Sequence, residues 1–458
     1  MKNKLSFSSY IIIGLMLFAL FFGAGNLIFP AQLGQNAGSN LWPAIFGFLI
    51  TGVGLPLLGI LAMSFSKSND LQELASRIHP IYAVFFTSLL YLTIGPFFAS
   101  PRTGTVAYEV GIAPFVGEGF QQGGLFIFTL FFFGITLLFS LKPNKLVNNI
   151  GRILAPGIVI LLGILLILAI LKPMGAIQPP QEAFLNGPFI QGFLEGYNTM
   201  DALASLVFGI IVIKAIRSFG VTSRNGILLA TAKSGVVAIV LLGIIYIGIA
   251  YLGATSTEMF GIFSNGGPVL SSAASHYLGT FGSVILAIIM TLACLTTSIG
   301  LTVACAEYFQ TLFPKISYKK FAIFFSVLTF VIANFGLTNI ITYSVPVLMF
   351  LYPLAIVLML LTFLSPLFNH SRIVYILATF STFMISIFDG LKALCDSIGI
   401  DYFAWMTPFV SFYEQALPLY TKGLGWFIPA LVIIAVSSLI VLIQKVFVTN
   451  TKENMEVH

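Results

Sequence analysis

The sequence predicts an all-α polytopic membrane protein of about twelve transmembrane helices, and three observations carry that expectation. Composition is the first: 58% of the residues are hydrophobic, only 8% are charged, and the mean hydropathy is +1.03, values that belong to a chain buried in lipid. The second is the spread of the apolar runs over all 458 residues, which at roughly 20 residues per span leaves room for about twelve helices and for no separate soluble domain. The third is where the basic residues fall. With the amino terminus inside, only Arg102, Lys172, Lys392 and Lys422 of the 21 lie outside, which is the positive-inside bias of helical membrane proteins. The net charge of +6 therefore asks for no nucleic-acid partner.

Taken in order, the expected spans are 10–33, 42–65, 80–111, 124–141, 153–171, 191–217, 227–253, 279–305, 319–335, 340–364, 372–390 and 424–447. Lys2 and Lys4 ahead of the first could mark a signal peptide cleaved near Gly23 to Gly25, but the apolar run is too long for one. The connections assigned to the cytoplasm are short and basic. Those assigned outside, 172–190, 254–278 and 391–423, are longer and rich in Pro, Gly and aromatics. Both termini are expected in the cytoplasm, and no stretch reads as a linker.

Two spans are interrupted. The first breaks at Phe22-Gly23-Ala24-Gly25-Asn26 and resumes at Leu27; unwound backbone at membrane depth must line a protein or water cavity, because hydrocarbon cannot satisfy it. The sixth carries Gly192, Glu195, Gly196, Asn198, Thr199, Asp201 and Ser205 ahead of an apolar run. Breaks five helices apart occupy equivalent places in successive five-helix halves, and an odd number of spans inverts the second half. That is the sequence pointer to a transporter with inverted repeats and a midplane site. The third span is long and interrupted at Gly95-Pro96 and again at Pro101, so it either tilts strongly or bends within the bilayer.

The candidate chemistry follows from these breaks. A helix restarting at Gly25 offers free amides and a positive dipole end to a carboxylate, with Gly23 and Gly25 allowing close approach; small-residue helix packing explains the same glycines. Asp201 is the costliest residue to place, at about 2.5 to 3.5 kcal/mol on insertion scales. It, or freed carbonyls between Thr199 and Ser205, can take the ammonium of a zwitterion, and simple pairing with Asn198, Thr199 or backbone is the alternative. In the eighth span Thr296-Thr297-Ser298 offers hard neutral oxygens suited to an alkali cation, unless the hydroxyls bond back to carbonyls one turn earlier.

Arg102 and Glu109, seven residues apart, share a helix face and are candidates for an external gate, with each other or with Glu195; a structural ion pair is the plainer reading. Glu307 reads as a boundary charge, and His79, His276 and His370 near span ends form no proton relay. Cys294, Cys305 and Cys395 are odd in number and lack metal spacing, and the first two read as buried, inert thiols. Phosphate loops, metal clusters and nucleophile–base pairs are missing, so the chain is not expected to be an enzyme, nor to carry a cofactor.

Four segments, FFGAGNLIFP, GPFFASPRTGTVAYE, EGYNTMDALASLVFG and LACLTTSIGLTVACAEYF, resemble the branched-chain amino acid:cation symporters of bacteria, the LIVCS carriers. The resemblance runs over essentially the whole chain. It implies uptake of leucine, isoleucine and valine across a bacterial plasma membrane, coupled to sodium or protons. It also implies a single transmembrane domain over 1–458: one inverted repeat over 1–171, a second over 191–364, and two added helices over 372–447.

More distantly, GAGN with the following Phe29-Pro30, and the ACLTTSIG run, are similar to the unwound first helix and eighth-helix sodium motif of neurotransmitter:sodium symporters. That resemblance implies a cation held by the carbonyls of Ala19, Phe22 and Ala293 and the hydroxyls of Thr296 and Thr297, given a one-residue gap between Asn26 and Phe29. Ile28 stands where those symporters carry a basic residue, a role Arg102 could take.

The substrate site is expected at Gly23, Ala24, Gly25 and Asn26 for the carboxylate, Thr199 to Ser205 for the ammonium, and Phe208 as an apolar wall. Another neutral solute is the alternative cargo, and a channel or substrate-sensing receptor the alternative class. No obligate protein partner is implied beyond the bilayer and the small solute.

Overall fold

The computed structural model describes residues 5–141 and 145–456, the side chains at 118, 145–155 and 446–456 excepted. Lys2, Lys4 and Lys142 of the expected cytoplasmic set thus lie outside the described residues, as do the side chains of Lys145, Arg152 and Lys452. In chain order the helices are α1 Phe7–Phe21, α2 Gly25–Ala37, α3 Leu41–Leu49, α4 Leu55–Ser66, α5 Leu71–Ser76, α6 Pro80–Leu92, α7 Ala99–Gly111, α8 Gln121–Ser140 and α9 Lys145–Leu171. They continue as α10 Pro188–Glu195, α11 Asp201–Ser218, α12 Arg224–Phe260, α13 Gly267–Leu312, α14 Tyr318–Ala333, α15 Leu337–Leu364, α16 Arg372–Ile398, α17 Thr407–Ala416 and α18 Phe427–Glu456.

All twelve expected spans fall on helix. Among the described residues, eight helices are long and apolar enough to cross a membrane, nine if one bent pair counts as a single span. The all-α class holds, with corrections at the connections. Where 254–278 was expected to be a loop, α12 runs on to Phe260 and helix resumes at Gly267, started by Pro268, whose fixed φ suits a first turn. Gly279, the expected start of the eighth span, is a left-handed kink inside α13 with φ +64. The expected 391–423 loop likewise holds the end of α16 and all of α17.

Two compact units emerge, Met1–Ile60 with Ser88–Ser344, and Leu61–Thr87 with Val345–His458. In the first, glycines set how near the helix backbones come. A Cβ on Gly47 would strike the Phe189 carbonyl, and one on Gly192 the Ala44 carbonyl, so α3 and α10 lie in backbone contact, the close packing that small residues permit in membranes. Gly34 and Gly253 bring α2 and α12 together in the same way, against Ala250 and Ala31.

The third span is bent where the sequence predicts. A five-residue π-helical stretch, Thr93–Phe97, joins α6 to α7, and Gly95 leaves helical geometry at φ −89, ψ −121. A Cβ there would collide with Cys305 Sγ, and that thiol is donated to the Tyr91 carbonyl at 3.2 Å. All three cysteines are free and buried.

The second unit is knit by arginines and phenylalanines. Arg77 donates to the Ser66 carbonyl and to Tyr375 Oη at 3.4 Å, while Arg372 Nε reaches the Ile78 carbonyl at 3.0 Å. Phe85 packs edge-on against Phe350 and Phe383.

Candidate functional site

The first break is real and short. Helix α1 stops at Phe21, and Phe22 turns out of helical geometry at ψ 88. Among the described residues no amide donates to the carbonyls of Ala19, Leu20, Phe21 or Phe22 beyond the end of α1, and the amides of Ala24, Gly25 and Asn26 find no backbone acceptor. The Gly23 amide, which would have closed the helix onto Ala19, is donated to Asn26 Oδ1 at 3.0 Å. Asn26 therefore holds the break open with its own side chain.

The second break is sharper. Helix α10 passes into a 3-10 turn at Gly196–Thr199, Met200 takes the left-handed conformation at φ 61, and α11 leaves at 47° to α10. A non-glycine residue in that region costs of order 1 to 3 kcal/mol, which the surroundings must impose. Two contacts do so. Gly196 is pressed so tightly onto Thr51 Oγ1 and the Phe48 carbonyl that a Cβ would collide with both, and Thr51 Oγ1 donates to the Phe193 carbonyl at 2.7 Å. Thr199 Oγ1 donates to Gly196 O at 2.9 Å and accepts from the Asp201 amide at 3.3 Å.

The two breaks meet through one buried network. Asn26 Nδ2 donates to Asp201 Oδ2 and to Tyr246 Oη, and Tyr246 Oη donates to the same Asp201 oxygen at 3.3 Å. Asn26, Asp201 and Tyr246 are 2%, 5% and 0% exposed. Of the alternative pairings, the Asp201 carboxylate does not take Asn198; its donors come from α2 and α12.

Around this network lies a cavity of about 50 Å³. Gly23, Ala24, Gly25, Asn26, Thr199, Asp201 and Phe208 line it, all expected from sequence, together with Thr297 and Arg102. Leu20, Phe21, Ile94, Ala204 and Leu301 supply an apolar wall. The lining thus combines backbone amides and a carboxylate with aliphatic and aromatic side chains, a mixture that matches a small zwitterion with an apolar side chain.

Ser205 is not brought in. Its hydroxyl is donated back to Ala202 O at 2.6 Å and it is fully buried in α11. Two of the eighth-span hydroxyls also turn to their own helix, Thr296 and Thr297 Oγ1 both donating to Ala293 O at 2.8 and 3.1 Å, while Ser298 Oγ accepts from Thr136 Oγ1 at 3.3 Å and pairs with Ser100 Oγ at 3.4 Å. Thr297 nonetheless stands beside the first break, since a Cβ on Gly23 would lie 3.8 Å from its Oγ1. The five groups expected to hold a cation are Ala19, Phe22, Ala293, Thr296 and Thr297. They comprise two unpaired carbonyls and a three-member cluster already bonded together.

The gate candidates separate. Arg102, 2% exposed, donates to the Asn198 carbonyl at 2.7 Å and to Ser344 Oγ, and stacks 5.1 Å above the Phe29 ring. Asn198 in turn donates to Glu195 Oε2 at 2.9 Å, so Arg102 reaches Glu195 through the second break. Glu109 instead lies against Gly267, where a Cβ would sit 3.3 Å from its own.

Tyr246 is the site residue that sequence reasoning missed. A tyrosine inside an apolar span carries no signal by itself, and its partners stand 45 and 220 residues away.

A family model described as branched-chain amino acid transport protein matches residues 6–444. Among curated proteins the chain is 47% identical over 431 residues to the branched-chain amino acid permease BrnQ of Bacillus subtilis (strain 168), covering 94% of this chain and 96% of the relative. It is 39% identical over 437 residues to BrnQ of Escherichia coli (strain K12), covering 95% and 96%. It is 41% identical over 420 residues to the branched-chain amino acid transport system 2 carrier protein of Pseudomonas aeruginosa, covering 91% and 92%.

Two solved structures share the fold. MhsT in complex with L-phenylalanine is 15% identical, with a TM-score of 0.54 and coverage of 97% and 99%. Inward-facing Mhp1 is 13% identical, with a TM-score of 0.55 and coverage of 96% and 91%.

Proposed function

This chain belongs to the branched-chain amino acid transport protein family, and from that premise we propose that it imports leucine, isoleucine and valine by symport with a cation, sodium ahead of the proton. It is a multi-pass membrane protein, and its relatives are named as permeases and carriers rather than enzymes. The proposal sets it in a bacterial plasma membrane with both termini cytoplasmic. It divides the chain into inverted repeats at 1–171 and 191–364, with two further helices at 372–447.

One observation carries the reading: the two broken helices are tied across the cavity by Asn26, Asp201 and Tyr246. In this reading the substrate carboxylate takes the unpaired amides of Ala24, Gly25 and Asn26, where a helix start favours negative charge. The ammonium takes Asp201, and the branched side chain lies toward Phe208, Leu20 and Leu301. An aliphatic pocket separates neighbours differing by one methylene by only about 1 to 3 kcal/mol, so one site serves three substrates.

Sodium is favoured by the unpaired carbonyls of Ala19 and Phe22 together with Thr297, which stands next to Gly23, because a hard cation prefers neutral oxygens. Binding it requires Thr296 and Thr297 to give up their bonds to Ala293. Coupling follows if cation and substrate both favour the closed state, since each shifts the equilibrium only through its differential affinity. The proton alternative puts the coupling charge on Asp201, the carboxylate in the cavity.

A competition panel tests the substrate class. Displacement of labelled leucine by isoleucine and valine, with weaker displacement by alanine and none by a nucleobase, supports the reading. Equal displacement by unrelated neutral solutes removes it.

A further inference from the structure

Helix α11 presents a single stripe to the transport cavity. Asp201, Ala204 and Phe208 all line it, and positions three and seven residues beyond Asp201 fall on the same helix face. The Ala204 amide is donated to the Met200 carbonyl at 3.0 Å, so the left-handed turn at Met200 fixes where this face begins. At 1.5 Å per residue, Ala204 stands about 4.5 Å and Phe208 about 10.5 Å along the axis from Asp201. Helical side chains lean back toward the N-terminus, which carries Phe208 toward the turn that holds Ala204. Between the carboxylate and the ring, α11 gives the cavity only a methyl group.

The other walls are bulky. Helix α1, which packs against α11, contributes Leu20 and Phe21, and α13 contributes Leu301, about one turn beyond Thr297. Of the apolar side chains that α1, α11 and α13 give to the cavity, Ala204 alone is smaller than leucine.

A ligand whose ammonium meets Asp201 begins its alkyl chain at the head of this stripe and carries its outer carbons past Ala204. Bulk at position 204 therefore meets leucine before valine. The cavity measures only about 50 Å³, and in a close-packed interior a change of a single methylene is felt. Building on the substrate reading above, we propose that Ala204 sets the length of side chain that the cavity accepts: its methyl leaves room for branched groups up to that of leucine and, with Phe208 beyond it, shuts out an aromatic ring.

The test measures equilibrium binding of labelled valine, leucine and phenylalanine to the full-length protein in detergent, unmodified and as Ala204→Val and Ala204→Gly. Ala204→Val is expected to weaken leucine relative to valine by about tenfold or more, the discrimination that one methylene commands in an apolar pocket. Ala204→Gly is expected to strengthen phenylalanine relative to leucine by a similar factor.

The leucine-to-valine ratio in Ala204→Val decides, and the phenylalanine-to-leucine ratio in Ala204→Gly decides in its place should the valine variant not fold. A shifted ratio supports the proposal. An unchanged ratio in a protein that binds leucine, or equal loss of every ligand, overturns it and leaves Ala204 a packing residue, with the substrate reading intact. Absence of leucine binding in the unmodified protein removes the substrate reading, and the role of Ala204 with it.

Discussion

Asn26 and Asp201, 175 residues apart, are hydrogen-bonded partners, and through them the two broken helices share one polar contact. Asn26 does this while its carbonyl oxygen holds the Gly23 amide at 3.0 Å. One side chain thus opens the first helix and fixes the carboxylate that begins the second half of the other. Removing it should therefore disturb both. Asn26→Ala is expected to weaken leucine binding by about tenfold or more, since a hydrogen bond to a charged group is worth about 1.5 to 3 kcal/mol. Equilibrium binding in detergent measures this, and an unchanged affinity would show that the contact plays no part in the site.

Tyr246→Phe removes one of two donors to Asp201 Oδ2 but leaves the ring in its edge contact with Phe48, 5.6 Å between centroids. The variant is expected to bind leucine more weakly by roughly 1 to 3 kcal/mol, with folding intact. Binding of 4-methylpentanoate, which keeps the carboxylate and side chain but lacks the ammonium, should not change. Equal loss for both ligands would mean that Tyr246 shapes the cavity rather than orienting Asp201.

Gly196→Ala should destabilise the protein by about 1 to 3 kcal/mol, the usual cost of overpacking, because its Cβ meets Thr51 Oγ1 and the Phe48 carbonyl. Gly134→Ala on α8, where a Cβ would meet nothing within 4 Å, should be neutral or slightly stabilising, as expected of alanine in a helix. Thermal unfolding in detergent compares the two. Similar midpoints would remove the packing account of the second break.

Thr296→Ala with Thr297→Ala is expected to raise the sodium concentration needed for half-maximal leucine binding by about tenfold or more. Leucine affinity at saturating sodium should change little. A loss of leucine affinity that no sodium concentration recovers would place the pair in the substrate site instead.

Much of this architecture is legible in the sequence, for reasons that differ from residue to residue. The breaks at Gly23-Ala24-Gly25 and Gly196 to Met200 announce themselves because glycine and polar residues are out of place in an apolar run, and the Gly95-Pro96 bend because proline cannot continue a helical ladder. Asp201 stands out by its cost in lipid.

Directions are another matter. Ser205 satisfies itself on Ala202, and Thr296 and Thr297 on Ala293, choices settled by local geometry that composition does not record. Tyr246 enters the site only because glycines at 34 and 253 bring α2 and α12 into backbone contact. The positive φ of Met200 is imposed by packing, since nothing in methionine itself favours it. Arg102 is readable as a gate candidate, but its partner at Asn198 depends on how the second break turns.

The central claim is that a sodium gradient drives leucine through the cavity between the two breaks. The measurement is labelled leucine uptake into proteoliposomes with sodium high outside, equal pH on both sides, and an ionophore added at the plateau. The account predicts accumulation above the external concentration, collapse on ionophore addition, and no accumulation in Asp201→Asn. Accumulation that needs a pH gradient and ignores sodium would contradict sodium coupling, and full sodium-driven accumulation in Asp201→Asn would contradict the site itself.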